Sequence, residues 1–274
     1  MSKPPIVFVH GLFVTRACWS PWIERFEARG HRCIAPAYPH RDAPAEVLRA
    51  RHPDDVTATV TLPAVLDVFE RAIRGLDEKP IVIGHSFGGL LTQLLLQRDL
   101  GACGVAIDSV PPPGVTSLRW SFLRSLWPPL NPFVAASRPY LMSFAHFRYA
   151  FVNAQPPAEQ RRIHDDQVAP ESRRLARAAL GRGAKIDFDR ARPPLLLLAG
   201  EKDHIIPASL NRTNARAYRR SPSRTDFHVF PGRDHYLVGA SGWQEVADHA
   251  LQWALDAAQA TSPAAATRGA TRTG

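Results

Sequence analysis

The chain has 274 residues, 45% of them hydrophobic, three cysteines and a formal charge of +9. That length admits one large α/β domain or two small ones with a substantial core, and no run of about 18 apolar residues is present to span a membrane. The positive excess is mostly arginine scattered in doublets such as Arg161-Arg162 and Arg219-Arg220, with no basic stripe interleaved with aromatics, so nucleic acid is not the expected partner.

In chain order, Ile6–Val9 is a fully apolar strand leading straight into His10-Gly11-Leu12-Phe13, a first core strand rather than a signal peptide. A helix is expected over 20–28, with Ser20 as cap and Pro21 in the first turn. A short strand follows over 32–35, and residues 40–60 read as polar and irregular. Thr61-Leu62-Pro63 opens a helix to about Leu76, because Val65, Leu66, Phe69, Ile73 and Leu76 recur at helical spacing. A β-branched run at 81–83 then meets a helical run from Phe87. Further strands are expected over 104–108, 195–199 and 227–230, and a closing helix over 243–258.

Strands alternating with helices imply a mostly parallel sheet covered on both faces. Residues 111–190 break the alternation. They lack strand signals, are rich in aromatics, and contain helical stretches over 157–165 and 171–180. We read them as a helical cap inserted into a core made of residues 1–110 and 191–260. The tail, 261–274, is small, polar and basic, and is expected to be disordered. Cys18, Cys33 and Cys103 show no paired spacing, so free thiols in a reducing cytoplasm are expected.

Gly84-His85-Ser86-Phe87-Gly88 lies between a strand and a helix. A serine on so sharp a turn needs glycine two residues to either side, where a side chain would strike backbone. Serine is a poor nucleophile without a base, and the base needs an acid to fix its tautomer. Asp203 follows the strand at 195–199 and His235 follows the last strand, so both share the sheet edge of Ser86. Asp108 also follows a strand and is the alternative acid. Asp234 reads as a turn residue, His85 as packing beneath the turn, and His10 as bonding loop backbone. His204 adjoins Asp203 too closely for a relay, and His146 and His164 receive no role. Eleven histidines show no metal-ligand spacing. Ser86 also stands where a dinucleotide fingerprint wants glycine, so neither metal nor cofactor is expected.

Four segments, residues 9–13, 84–89, 200–207 and 232–235, together resemble the α/β-hydrolase fold of bacterial carboxylesterases and lipase-like serine hydrolases. The order serine, acid, histidine agrees. The resemblance implies a Ser86–His235–Asp203 triad, with the backbone N–H groups of Leu12 and Phe87 as oxyanion donors in preference to Phe13. It departs from the family in lacking the leading two antiparallel strands, which predicts about six parallel strands rather than eight. The implied activity is hydrolysis of a small-molecule carboxylic ester carrying an apolar or aromatic group, with an anionic end suggested by arginines in the cap. A lyase, cyclase or acyltransferase on the same triad is the alternative, and a ligand-binding receptor on the scaffold is the non-enzyme one. The expected assembly is a monomer or homodimer.

Overall fold

The structure, a computed structural model, describes residues 3–260, so the tail expected to be disordered lies outside the described residues. In chain order the elements are β1 (Ile6–Val9), α1 (Ser20–Glu27), β2 (Cys33–Ile34), α2 (Ala45–Ala50), α3 (Asp55–Ala58), α4 (Leu62–Arg74), β3 (Ile81–His85), α5 (Phe87–Gln97) and β4 (Cys103–Ile107). Then come α6 (Trp120–Leu130), α7 (Phe144–Ala150), α8 (Pro157–Gln167), α9 (Arg173–Ala178), β5 (Leu195–Gly200), α10 (Ala208–Ala217), β6 (Thr225–Phe230) and α11 (Trp243–Ala260).

The strands form one six-stranded sheet in the order β2-β1-β3-β4-β5-β6, and every pairing is parallel. Central strands β1, β3, β4 and β5 are buried along their whole length because helices cover both faces. The chain winds from β1 out to β2, then returns to β3 on the other side of β1. That reversal opens a crevice at the carboxyl ends of β1 and β3, where residues 10–13 and Ser86 emerge. Helix α5, buried over 87–96, carries no polar face because it is enclosed by the sheet and neighbouring helices. Thr61 caps α4 by accepting the Ala64 N–H.

Several expectations shift. Residues 40–60 hold two short helices, α2 and α3, and Asp54 caps α3 by accepting the Val56 N–H. Ser20 is not a cap but the first residue of α1, which follows a 3-10 turn capped by Thr15. Helix α10 had no clear sequence signal. In the segment between β4 and β5, α9 begins only at Arg173, where Ser172 accepts the Leu175 N–H. Glu171 is thereby left outside the helix, in an isolated antiparallel bridge to Tyr140.

Candidate active site

Three residues other than glycine at the carboxyl edge have positive φ: Phe13 (67°), Ser86 (58°) and Asp108 (42°). Such backbone costs on the order of 1–3 kcal/mol each and persists where surrounding structure enforces it. At Ser86 the enforcement is steric crowding. A Cβ on Gly84 would lie 2.1 Å from the Gly88 carbonyl oxygen, and one on Gly88 would lie 2.1 Å from that of Val9. The turn therefore presses against β1, bringing the loop at 10–13 beside the serine. A Cβ on Gly11 would meet the Ser86 Cβ at 3.0 Å.

That loop is held from both sides. The His10 Nδ1–H donates to the Gly11 carbonyl oxygen at 2.8 Å, which fixes the plane of the peptide that carries the Leu12 N–H. Tyr38 stacks on the His10 ring at 3.8 Å and donates to the His10 carbonyl at 2.5 Å. Burial lowers the His10 pKa to about 3 and keeps the ring neutral. The Leu12 N–H has no acceptor among the described residues, and the Phe87 N–H heads α5, where first-turn donors lack intrahelical partners. Phe13 differs, because its N–H points to a Glu171 carboxylate oxygen at 3.4 Å.

Of the three side chains picked from the sequence as a triad, the structure brings two into contact. His235 Nδ1–H donates to Asp203 Oδ2 at 2.6 Å, with both side chains at 0% exposure. The Ser86–His235 hydrogen bond is not formed, since His235 Nε2 is buried without a partner among the described residues. His85 supports the histidine from below. Its Nε2–H donates to the His235 carbonyl at 2.7 Å, with the rings 4.7 Å apart. Phe151 lies edge-on to His235 at 4.6 Å. Burial lowers the His235 pKa to about 3, leaving a neutral imidazole whose proton sits on Nδ1 facing the acid.

Asp108 and Asp203 are both buried, and burial raises both carboxyl pKa values. No hydrogen bond joins them, and Asp108 Oδ2 has no partner among the described residues. Asp203 also accepts the Ile206 N–H at 2.8 Å, which favours its charged form. Asp108 accepts the Gly200 N–H at 2.8 Å but is pushed further up by the charge of Asp203. Of the two, Asp108 is the one that the neighbouring carboxylate pushes further up, while Asp203 is the one that faces His235.

Asp234 does more than turn the chain. Buried at 0% exposure, it accepts the Ala154 N–H at 2.9 Å and the Gln155 side-chain amide at 3.0 Å, which ties the His235 loop to the segment between β4 and β5. His204 Nδ1–H donates to the Tyr149 carbonyl at 2.9 Å, away from any relay. Among the described residues one group, His85, Asp108 and His235, brings potential metal-ligand atoms within 4.8 Å of one another. Each histidine already commits one nitrogen to a protein partner, and a metal held there would occupy the His235 nitrogen that a base must keep free.

A cavity of about 400 Å³ opens over Leu12 and Phe87, between the sheet edge and α6. Its wall includes Phe13, Phe122, Leu126 and Ile206 and contains no charged residue, so the arginines of this segment supply no anionic subsite there. Sequence reasoning missed Arg41 and Glu171, a buried pair whose partners are set only by tertiary contact.

The model of the alpha/beta hydrolase family matches residues 6–249, and the chain belongs to that family. No curated protein matches the chain. Among solved structures, a Paleococcus ferrophilus monoacylglycerol lipase superposes with TM-score 0.66 at 18% identity, covering 93% of this chain and 96% of that one. A pyrethroid hydrolase from Sphingobium faniae JZ-2 gives TM-score 0.65 at 19% identity, covering 92% and 97%. A tomato methylketone synthase I variant complexed with β-ketoheptanoate gives 0.67 at 14%, covering 94% and 100%. At such identities the likeness establishes the fold. No helix among the described residues is long and apolar enough to cross a membrane.

Proposed function

We propose that the chain is a carboxylic ester hydrolase working through an acyl-enzyme, with Ser86 as nucleophile, His235 as base and Asp203 as acid. The observation that carries the reading is the buried 2.6 Å contact between His235 Nδ1 and Asp203, on the edge where Ser86 heads its strained turn. His235 Nε2 takes the Ser86 proton as the hydroxyl oxygen attacks the ester carbonyl, and the Leu12 and Phe87 N–H groups receive the developing oxyanion. The donors stand at a helix N-terminus and in a loop fixed by His10, and each is worth roughly 3–4 kcal/mol. His235 then protonates the departing alcohol and activates the water that releases the acid. Residues 111–190 act as the cap, and the uncharged cavity takes an apolar acyl or aromatic group. The thiols of Cys18, Cys33 and Cys103 are all free, which suits a reducing cytoplasm.

The test is a p-nitrophenyl ester series of increasing acyl length, run on wild type and Ser86→Ala. The proposal requires hydrolysis that Ser86→Ala abolishes and that improves with acyl length until the cavity is filled. Wild-type rates in Ser86→Ala would sink it.

A second reading, a lyase, draws on the unbonded His235 Nε2. Such a base could abstract a substrate proton with no help from the serine. Oxygen-18 water separates the two, because only hydrolysis places the label in the acid product.

A further inference from the structure

Arg41 and Glu171 form an ion pair at 3.0 Å with side-chain exposures of 1% and 0%. Burying two charges is expensive, and replacing such a pair with apolar groups is often neutral or stabilising. Its place in the fold therefore invites an explanation other than stability.

The pair is wound into the backbone of the loop after β1. One Glu171 oxygen faces both Arg41 and the Phe13 N–H, and the other accepts the Ser172 N–H at 2.9 Å. Arg41 Nη2 donates to the Val14 carbonyl at 3.1 Å, and Nη1 donates to the Pro170 carbonyl. The Ala169 N–H closes the set by donating to the Phe13 carbonyl at 2.8 Å. Both backbone groups of Phe13, at a φ of 67°, and the carbonyl of Val14 are thus held by Arg41 and residues 169–171. Glu171 is itself clamped to Tyr140 by paired backbone bonds of 2.7 and 2.8 Å. A non-glycine residue at positive φ relaxes unless its surroundings hold it, and Leu12 precedes it directly.

We infer that the Arg41–Glu171 pair is a positioning device: it imposes the Phe13 conformation, and thereby aims the Leu12 N–H at the oxyanion, from the segment between β4 and β5. This rests on the assignment of Ser86 as nucleophile and Leu12 as donor. Neither Arg41 nor Glu171 touches the reacting atoms. Glu171 also draws the Phe13 N–H away from the site, leaving Leu12 as the donor of this loop.

The test compares wild type, Glu171→Gln and the charge-free Arg41→Met/Glu171→Gln, using a p-nitrophenyl ester and an alkyl trifluoromethyl ketone. The Ser86 oxygen adds to the ketone carbonyl carbon, its proton passing to His235, and the carbonyl becomes the same kind of oxyanion, so the ketone's affinity reports donor placement. Removing one such donor costs about 10²–10³ in kcat, and misaiming it should cost about ten- to a hundredfold. We expect kcat and ketone affinity to fall together by that factor, with KM within about twofold and circular dichroism unchanged. Should Glu171→Gln not fold, the double variant carries the same test, because it leaves no buried charge unpaired. Folded variants that lower thermal stability alone, with kcat and ketone affinity at wild-type level, would overturn the inference. Wild type that neither hydrolyses the ester nor binds the ketone at Ser86 would overturn the hydrolase reading itself, and this inference with it.

Discussion

Replacing Asp203 by Asn should separate the acid from its neighbour Asp108. Asp203 uses one oxygen for the Ile206 N–H at 2.8 Å and the other for His235 Nδ1 at 2.6 Å. An amide can satisfy Ile206 only by keeping its oxygen there, which turns its NH₂ towards Nδ1. The imidazole must then accept at Nδ1 and carry its proton on Nε2, where no lone pair remains for the Ser86 proton. A wrong tautomer of this kind costs about 10⁴ in kcat, or about 5 kcal/mol of transition-state stabilisation at roughly 1.36 kcal/mol per tenfold. Asp108→Asn should behave differently. Asp108 accepts the Gly200 N–H and its pKa is pushed up by burial beside Asp203, and an Asn amide offers the same acceptor. Its kcat should stay within about threefold of wild type, since no hydrogen bond is lost. The assay is kcat/KM on a p-nitrophenyl ester, with folding checked by circular dichroism. Equal losses in the two variants, or a larger loss in Asp108→Asn, would refute the assignment of the acid.

Two further outcomes follow. Gly88→Ala puts a Cβ 2.1 Å from the Val9 carbonyl oxygen and 2.7 Å from that of His10, both rigid backbone. It should lower stability by about 3 kcal/mol through overpacking and reduce kcat, and an unchanged Tm would contradict the steric account of the turn. The second outcome concerns pH. As the proposed base, His235 must be unprotonated, and burial lowers its pKa to about 3, so the acid limb of kcat/KM should move below the ordinary imidazole value. Between pH 7 and 5 the rate on a non-ionising ester should fall less than about threefold, whereas a base titrating near 6.5 would lose roughly 25-fold. A limb at 6.5 would show that His235 is not held neutral by burial.

The parts legible in the sequence are those set by local sterics and periodicity. Gly84, Ser86 and Gly88 mark the turn because their spacing is a steric requirement of the strand-to-helix corner itself. Val65, Leu66, Phe69 and Ile73 mark α4 because one face repeats every 3.6 residues. The alternation of elements implied the parallel sheet, and because Ser86, Asp203 and His235 each follow a different strand of it, all three were expected on one edge. What the tertiary structure alone decided is which distant groups share a buried space. Asp203 accepts the His235 Nδ1–H, while Asp108, on the neighbouring strand end, accepts the Gly200 N–H. Glu171 lies 158 residues from the Phe13 N–H it meets, and no local pattern encodes so remote a pairing. The same holds for the wall of the cavity, where α6 settles over Leu12 and Phe87 with its one arginine, Arg124, stacked on Tyr149. Hydrogen bonds and charges act over a few ångströms in space, and only the folded chain sets which residues stand that close.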